Sequence, residues 1–375
     1  MISNTAVVRE IQAPREIETF LRFPWQVYQG NPFWVPPILP DLRKFLKGEG
    51  LFFNHCRYQL FAAEEDSRMV GTLAAFYDQH YVSHWNERAG FLGFFEALPQ
   101  KSETIYDLFQ KAEDYLRSLG AEMVYAPFNA QVGSYSMGLL VDDYGAPPVF
   151  LMAYNPDYYH EYLDQLGYQR AKKLIAYRMD LQEVKVREKI SSILKEMKRS
   201  DFRVRPFDKR RFTQEAVLLA RIYSETFKQH WGYAPSPEEE FVEIVKSFQL
   251  ILDPDMILFA EKEGKTIGFA LCVPNYNPLI RSLNGNVNFM AGIPFILQMN
   301  KIRSARLIAI GVLSEYRGRN IAPYLVAAAY QHMILENYIS CEYSWVLEEN
   351  VASQRVATSF FGDPYKHYSV YSKKL

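Results

Sequence analysis

The stretch "IAIGVLSEYRGRNIAPYLVAAAYQHM", residues Ile308 to Met333, decides the fold. Its first residues are apolar and largely β-branched, which predicts a strand that ends near Glu315. After "YRGRN" the apolar residues follow helical spacing, so a helix is predicted from Ile321 onward. The corner between strand and helix contains Arg317, Gly318, Arg319 and Asn320.

This corner has the chemistry of an anion-binding site. Amide N–H groups at a helix start lack intrahelical acceptors and carry partial positive charge. Gly318 lets the backbone approach an anion closely, and Arg317 and Arg319 add charge and forked donors. Each hydrogen bond to a charged group contributes about 1.5–3 kcal/mol, so three or four of them would hold a pyrophosphate. A solvated surface turn is the alternative that the residues leave open.

The composition limits the class of protein. A chain of 375 residues exceeds the usual length of one domain, so two domains are expected. The net charge of −1 argues against a nucleic-acid partner, and the three cysteines form no CxxC pair. The sequence shows no signal core and no run of about 18–20 apolar residues that could span a bilayer. We therefore expect a soluble cytoplasmic protein with no metal cofactor.

The sequence contains a weak internal repeat. The segments "LFAAEEDSRMVGTLAAFYDQ", from Leu60, and "LFAEKEGKTIGFALCVPNYN", from Leu258, both read as a strand, a polar turn and a second strand. A strand, a helix and a strand follow in each half, and the closing segments "LGYQRAKKLIAYRMD" and "FGDPYKHYSVYSKKL" also correspond. Two copies of one unit, residues 1–183 and 184–375, are therefore predicted. Chance likeness between ordinary β-hairpins is the alternative.

The corner also resembles a known motif. "GVLSEYRGRNIAPYLV" is similar to the coenzyme A pyrophosphate loop of the GNAT N-acyltransferase superfamily, in which Gln/Arg-x-x-Gly-x-Gly/Ala joins a strand to a helix. Arg317 and Ala322 match the first and last positions, whereas Asn320 replaces the usual fourth Gly. Asn tolerates unusual backbone angles, so the loop is expected to persist. By this resemblance the coenzyme-binding residues are Ile310, Gly311, Val312, Arg317, Gly318, Arg319, Asn320, Ile321, Ala322 and Asn350.

The resemblance extends over the last third of the chain. "WVLEENVASQRVATSFFG" is similar to a GNAT segment in which Asn350 and Ser353 match, but Ala357 stands where many members have the Tyr that protonates the departing thiolate. The motifs "NPFWVPP", "GFLGFFEA" and "YSWVLEEN" resemble a bacterial group of GNAT-like proteins, and the doubled layout resembles the Fem-type aminoacyltransferases. The implied fold is α/β (α+β): two tandem GNAT-like units, each a mixed, mostly antiparallel sheet flanked by helices.

The first half lacks the coenzyme loop. At the equivalent corner it reads "FFEALPQKSETIYDLF", where Pro99 interrupts the corner and Glu96 would oppose a phosphate. Residues 1–183 are therefore predicted to be a degenerate GNAT-like domain, and residues 184–375 to be the domain that binds acyl-CoA. The segment "NPFWVPPILPDL" is interpreted as a rigid connector, with an aromatic pocket lining as the alternative.

The expected chemistry requires help with proton transfer. An amine with a pKa of about 10.4 is only about one part in a thousand neutral at pH 7, so a base must assist. The resemblance implies that backbone N–H groups near residues 310–312 bind the thioester oxyanion, beside a gap facing residues 342–346. The catalytic candidates are Glu342, Tyr233 and Tyr368, with Tyr343 and Tyr365 as further substitutes for the missing acid. The substrate-binding candidates are Trp231, Asn275 and Asn277.

The predicted function is acyl-CoA-dependent N-acyl transfer, from acetyl-CoA or a longer acyl-CoA to a small-molecule or lipid-like amine. A non-catalytic relative that binds acyl-CoA or a partner protein is the alternative, because Asn320 and Ala357 depart from the GNAT pattern. Aminoacyl transfer from a charged tRNA is disfavoured by the near-neutral charge. The apolar residues 289–297 are interpreted as a core helix or as a lid with peripheral membrane contact. The sequence does not identify the acceptor or the oligomeric state.

Overall fold

The computed structural model describes residues 6–129, 136–287 and 297–375. The chain forms two compact units: the first comprises residues 1–173, 277–295 and 368–375, and the second comprises residues 174–276 and 296–367. The predicted apolar lid lies outside the described residues except for Leu297, which is exposed. No helix in the described part of the chain is long and apolar enough to cross a bilayer.

In the described residues, the sheet of the first unit has six strands along its main path, and the short β6 pairs with the last of them. In spatial order, β1 to β5 are followed by the end of β13, and only the β4–β5 pair is parallel. Its strands are β1 (Ala6–Ile11), β2 (Cys56–Glu65), β3 (Arg68–Asp78), β4 (Ala89–Ala97), β5 (Met123–Ala126), the short β6 (Leu139–Leu140) and the end of β13 (Asp363–Lys374). Its helices are α1 (Pro14–Arg22), α2 (Pro24–Val27), α3 (Leu39–Leu46), α4 (Gln79–Trp85), α5 (Ser102–Ser118), α6 (Tyr159–Gln165) and, from later in the chain, α10 (Asn277–Ser282).

Helix α5 covers one face of this sheet. Its apolar stripe, which includes Ile105, Leu108 and Leu116, is completely buried. Two glycines of the sheet permit the close packing: a Cβ atom at Gly71 would lie 2.5 Å from Ile105 Cδ1, and one at Gly90 would lie 2.7 Å from Leu116 Cδ2. These residues of α5 therefore form part of the core of this unit.

The second unit repeats the same strand order. In space, β7 is followed by β12, β11, β10, β9 and β8, and only the β11–β12 pair is parallel. Its strands are β7 (Gln169–Asp180), whose residues from Leu174 onward belong to this unit, β8 (Arg203–Pro206), β9 (Ile257–Lys262), β10 (Lys265–Pro274), β11 (Ser304–Val312) and β12 (Ser340–Leu347). Its helices are α7 (Val184–Met197), α8 (Phe212–Phe227), α9 (Glu238–Ser247), α11 (Ile321–Leu335) and α12 (Val351–Ser359).

The two predicted hairpins are present and have matching turns. Asp66 and Ser67 join β2 to β3 with φ of 48° and 63°, and Glu263 and Gly264 join β9 to β10 with φ of 51° and 78°. Two consecutive left-handed residues are the geometry that suits the right-handed twist of a hairpin. The hairpins and the shared strand order confirm two α/β units, each with a mixed, mostly antiparallel sheet flanked by helices.

The closing strands are exchanged between the two halves of the sequence. In the first unit β5 pairs with residues 371–374, from the end of the chain, and in the second unit β12 pairs with residues 174–180. The structure therefore differs from a division at residues 183 and 184, in which each half would close its own sheet. Either closing strand offers the same alternating side chains and backbone edge, so local sequence does not select its partner.

A buried ion pair anchors the exchanged strand in the first unit. Lys373 Nζ on β13 lies 2.9 Å from both carboxylate oxygens of Glu113, which is fully buried on α5. The hydroxyl of Tyr168 also donates to Glu113 Oε1, at 2.8 Å. Removing the cation would leave a buried carboxylate without its main counter-ion, which is costly.

We expect Lys373→Met to lower the free energy of unfolding by about 2 kcal/mol, less than for a fully buried pair because Tyr168 and Arg117 still contact the carboxylate. Urea denaturation measures the effect. Lys374→Met is the matched control, since this neighbour on β13 is exposed and its replacement should change stability by less than about 0.5 kcal/mol. Equal effects of the two substitutions would contradict the anchoring role.

Candidate active site

A gap opens between two parallel strands of the second unit. Strands β11 and β12 pair only from Ser304 with Ser340 to Leu307 with Tyr343. Beyond that point β11 continues to Val312, where it still pairs with β10, and β12 continues to Leu347, where it still pairs with β7. Because backbone groups at an unpaired strand edge offer donors and acceptors, the gap can receive an extended polar ligand. Such a gap beside residues 342–346 was expected.

Two of the three predicted coenzyme residues on β11 have local roles. A Cβ atom at Gly311 would lie 2.3 Å from Thr226 Oγ1 of α8 and 2.6 Å from Phe269 Cε1, so glycine is needed where α8 packs on the sheet. The carbonyl oxygen of Val312 accepts a hydrogen bond from Arg317 Nε, at 3.3 Å. Ile310 is half-buried along the same strand. The packing of α8 thus holds β11 in place at the gap.

The corner after β11 is open to solvent. A short 3-10 turn, Ser314–Tyr316, is followed by four exposed residues and then by α11. Gly318 has a φ of +79° and open space where a side chain would stand. Arg317 is exposed, and the guanidinium of Arg319 lies over the ring of Tyr316 at 5.4 Å. Two cations therefore border the start of the helix, as the sequence predicted.

The backbone conformation of Asn320 explains how an asparagine can stand where the GNAT loop usually has a glycine. Asn320 is the residue that precedes α11, with φ of 59° and ψ of 15°, which is the left-handed region. Glycine adopts this region without cost, and Asn is among the few other residues that visit it routinely. Its side chain makes no capping hydrogen bond to the helix, so it does not block the amides that follow.

The first turn of α11 presents unpaired amides. The bond from Tyr324 N–H to the Asn320 carbonyl, at 3.1 Å, is the first of the helix. Helix geometry therefore leaves the N–H groups of Asn320, Ile321 and Ala322 without an intrahelical acceptor, and Pro323 has no N–H to leave unpaired. This arrangement, with the arginines beside it, suits a phosphate group.

A buried polar network lies where β11 and β12 separate. Arg306, 1% exposed, donates from Nη2 to the carbonyl oxygen of Ser344 and from Nε to its Oγ, both at 3.0 Å. The Ser344 hydroxyl donates to Glu342 Oε1, and the Tyr365 hydroxyl donates to Glu342 Oε2. The Arg306 guanidinium also lies 5.3 Å from the ring of Trp345. The network connects a buried cation to a buried carboxylate through one serine.

Sequence reasoning identified Glu342 but missed Arg306 and Ser344. Arg306 and Glu342 are register partners across the parallel pair, so their side chains leave the sheet on the same face. A charged residue in the apolar strand "SARLIAIGV", opposite another in "SCEYSWVL", was the available signal. Buried charges are rare without partners, so the two residues could have been paired with each other.

The structure places the other catalytic and acceptor candidates in separate surroundings. The hydroxyl of Tyr233, which is buried, lies 2.6 Å from Ser224 Oγ, and Trp231 is half-buried in the same turn after α8. Asn275 donates to Ser304 Oγ at 3.1 Å. Of the candidates predicted from the sequence, the network contains Glu342 and Tyr365. It does not include Tyr233, Trp231 or Asn275.

Three further candidates also have identifiable contacts. Asn277 and Tyr368 belong to the first unit, where Tyr368 is fully buried and Asn277 donates to the Pro148 carbonyl at 2.7 Å. The side chain of Asn350 accepts a hydrogen bond from Ser353 N–H at 3.1 Å and caps α12. Asn350 therefore caps a helix, and Asn277 makes a buried contact to a loop.

The equivalent gap of the first unit is filled by its own chain. Strand β4 pairs with β5 only over residues 89–91, and then the N–H of Phe128 donates to the Leu92 carbonyl at 2.7 Å. Asn129 Oδ1 accepts from the N–H of Phe94, also at 2.7 Å. A Cβ atom at Gly93 would lie 2.5 Å from the Phe128 carbonyl oxygen. The strand edge that is open in the second unit is therefore occupied in the first.

Comparison with known proteins identifies the fold. Residues 217–362 match the model of the acetyltransferase (GNAT) family. A tandem GNAT protein from the clavulanic acid biosynthesis pathway has a similar fold, with a TM-score of 0.61 at 11% identity over 99% of this chain and 98% of that one. The chain has a tandem GNAT fold, with two GNAT-like units. A fungal β-N-acetylglucosaminidase with a GCN5-related glucosamine N-acetyltransferase region gives a TM-score of 0.62 at 16% identity, with all of this chain covering 38% of that one.

Two curated proteins are similar to this chain over nearly its whole length. Protein YghO of Escherichia coli (strain K12) is 26% identical over 382 residues, which cover 100% of this chain and 97% of that protein. The bacterial ceramide synthase of Caulobacter vibrioides (strain NA1000 / CB15N) is 29% identical over 374 residues, which cover 97% of this chain and 96% of that protein. The similarity thus includes both units.

The left-handed backbone of Asn320 predicts an ordered mutational effect. We expect Asn320→Ala to lower the free energy of unfolding by about 1 kcal/mol, because a Cβ without a polar side chain is disfavoured in this region. Asn320→Gly should leave stability unchanged or raise it slightly. Urea denaturation of the two variants and the parent chain measures the difference. Alanine as stable as glycine would show that the corner does not require a left-handed residue.

Proposed function

We propose that this GNAT protein is an acyl-CoA-dependent N-acyltransferase whose active site lies in the second unit. The observation that supports this most strongly is the continuity of the open β11 edge with the exposed corner before α11. Coenzyme A has an extended pantetheine arm and a pyrophosphate, and these two features of the protein suit the two parts in that order. The filled gap of the first unit supports the choice of the second unit for the coenzyme.

The chain's own groups would hold the acyl donor. The amides of residues 320–322 and the cations Arg317 and Arg319 would bind the pyrophosphate. The unpaired edge of β11 would pair with the pantetheine amides, and its N–H groups would stabilise the oxyanion that forms on the thioester carbonyl. The reacting carbon would then lie in the gap, on the side where Glu342 and Tyr365 meet.

Glu342 and Tyr365 would carry the protons. Glu342 is 3% exposed whereas Tyr365 is half-buried, so the phenol is the more accessible member of the pair. As the amine nitrogen attacks, its proton passes to the phenol oxygen and the phenol proton moves to Glu342 Oε2. When the C–S bond breaks, the departing thiolate takes a proton from Tyr365, which recovers its own from Glu342. The net products are an amide and free coenzyme A.

This relay would replace the tyrosine that many GNAT members have at the position of Ala357. Ala357 is buried in α12 and has no ionisable group. Arg306 would hold Ser344 in place, and Ser344 would in turn hold the Glu342 carboxylate beside Tyr365. The departure from the family pattern is then compatible with catalysis.

The acceptor is proposed from a relative. The Caulobacter protein, 29% identical over 97% of this chain, is named for ceramide synthesis. Ceramide is the amide of a long-chain amino alcohol and a fatty acid, so we propose a lipid-like primary amine as acceptor and a long acyl chain as donor. The relay itself requires only an amine and a thioester.

An assay of the purified full chain tests the proposal. Acyl-CoAs from acetyl to stearoyl are combined with sphinganine or with a small soluble amine, and free thiol release and product mass are recorded. We expect amide formation that depends on both substrates and is fastest with a long acyl chain and sphinganine. Coenzyme A binding by calorimetry without amine-dependent thiol release for any pair would instead support a non-catalytic acyl-CoA-binding protein.

Glu342→Gln should lower kcat about 100-fold or more, with little change in the KM for acyl-CoA, because it removes the proton acceptor and keeps the shape. Steady-state kinetics measure both constants. Glu349→Gln is the matched control, since this carboxylate is exposed beyond the end of β12, and its kcat should equal that of the parent. A Glu342→Gln enzyme with parental kcat would exclude the relay.

Arg317→Ala should weaken coenzyme A binding about 10-fold or more, the equivalent of one charge-assisted hydrogen bond. Calorimetry with coenzyme A measures the change. Lys101→Ala removes a cation that pairs with Glu65 in the first unit, and its affinity should match that of the parent. If both variants lose affinity equally, the corner before α11 is not the pyrophosphate site.

A further inference from the structure

Three potential metal ligands meet at the open end of the first hairpin. His55, Asp78 and His80 each offer one ligand atom, and these atoms all lie within 4.8 Å of one another. His55 directly precedes β2, Asp78 is the last residue of β3 and His80 lies in the first turn of α4. All three belong to the first unit, apart from the proposed acyltransferase site.

The backbone fixes these residues before any ligand binds. Cys56 and Asp78 are register partners across β2 and β3, and the N–H of Gln79 donates to the His55 carbonyl at 3.0 Å. The N–H of His80 donates to Asp78 Oδ1 at 2.9 Å, which sets the orientation of the carboxylate. The three side chains therefore converge because of hydrogen bonds in the main chain, and an ion would not need to reorganise the hairpin.

Two imidazole rings and one carboxylate are packed together at this end of the hairpin. His55 is 8% and Asp78 is 6% exposed, and His55 Nδ1 lies 2.8 Å from Asp78 Oδ1. The rings of His55 and His80 stack at 3.8 Å with an angle of 8°. Imidazole nitrogens and a carboxylate oxygen, the donor types that transition metals accept, are therefore held close together in a mostly buried place.

We propose that His55, Asp78 and His80 bind a divalent transition-metal ion, with Zn²⁺ as the best match to two imidazoles and one carboxylate. The ion takes the place of the proton between His55 and Asp78, and the rings tilt from their stacked arrangement to direct their nitrogens at it. His80 is half-buried, so water completes the coordination on that side. The ring of Phe52, 5.3 Å from that of His55, shields the site on another side. This assignment departs from the expectation of no metal.

The site would connect the hairpin to α4. One ligand comes from each strand end and one from the helix, so a bound ion joins three backbone segments that otherwise depend on hydrogen bonds. Because a ligand that binds only the folded state stabilises that state by mass action, zinc should raise the melting temperature. The proposed role is therefore structural, and it does not depend on the acyltransferase activity.

Calorimetry with ZnCl₂ on the full chain, after treatment with a chelator, tests the site. We expect one equivalent of Zn²⁺ to bind, and His80→Ala to weaken this binding about 100-fold or more. His84→Ala is the matched control, because His84 is an exposed histidine on the same helix. Co²⁺ in place of zinc should give visible absorption bands in the parent and the control that His80→Ala lacks.

A second cluster requires its own control. Asp253, Asp255 and His332 also place their ligand atoms within 4.8 Å of one another, in the second unit. Asp255 is exposed, so Asp255→Asn removes one ligand there without disturbing a core. Binding that survives Asp255→Asn and is lost in His80→Ala assigns the ion to the first unit. A parent chain that binds no equivalent of zinc, or a His80→Ala chain that binds as tightly as the parent, would overturn the proposal.

Discussion

The separation of β11 from β12 beyond Leu307 and Tyr343 is the constraint on which the candidate site depends. Two parallel strands that remain hydrogen-bonded would bury the edge that an extended ligand needs. The separation exposes backbone groups on β11, and at that point the Ser344 carbonyl of β12 accepts a hydrogen bond from Arg306 Nη2. The hydroxyl of the same serine donates to Glu342 Oε1. One interruption of the sheet thus exposes the edge of β11 and lies beside the buried network.

The first unit has the same strand order, but its own chain fills the gap between β4 and β5. Its strands separate at the corresponding place, but Phe128 and Asn129 bond to β4 and satisfy the exposed groups. Buried backbone polar groups must find partners, and a chain segment satisfies them as well as a ligand does. The two units therefore share strand order and hairpin turns. They differ in what completes the sheet at the gap between the two parallel strands. In the first unit the chain does so, and in the second we propose that the coenzyme does.

The exchange of closing strands ties each unit to residues distant in sequence. The pair between Lys373 and Glu113 joins positions 260 residues apart, so the last strand is held by a charge interaction as well as by sheet pairing. A buried carboxylate without a cation is costly. The sheet of the first unit therefore favours, as its sixth strand, the one that carries Lys373. The helix-covered core of the first unit accordingly includes residues from both ends of the chain.

The sequence alone determined the features that depend on neighbouring residues: the two hairpins, the strand-to-helix corner and the tolerance of position 320 for a left-handed backbone. Each follows from local backbone preference or from a periodic pattern, and both can be read from consecutive residues of the sequence. Only the tertiary structure decided the exchange of the closing strands, the filling of the first gap, the partnership of Arg306, Ser344, Glu342 and Tyr365, and the meeting of His55 with Asp78 and His80. These features depend on contacts between segments that are distant in sequence. Several pairings of such segments satisfy the same local preferences, and packing and burial select one of them.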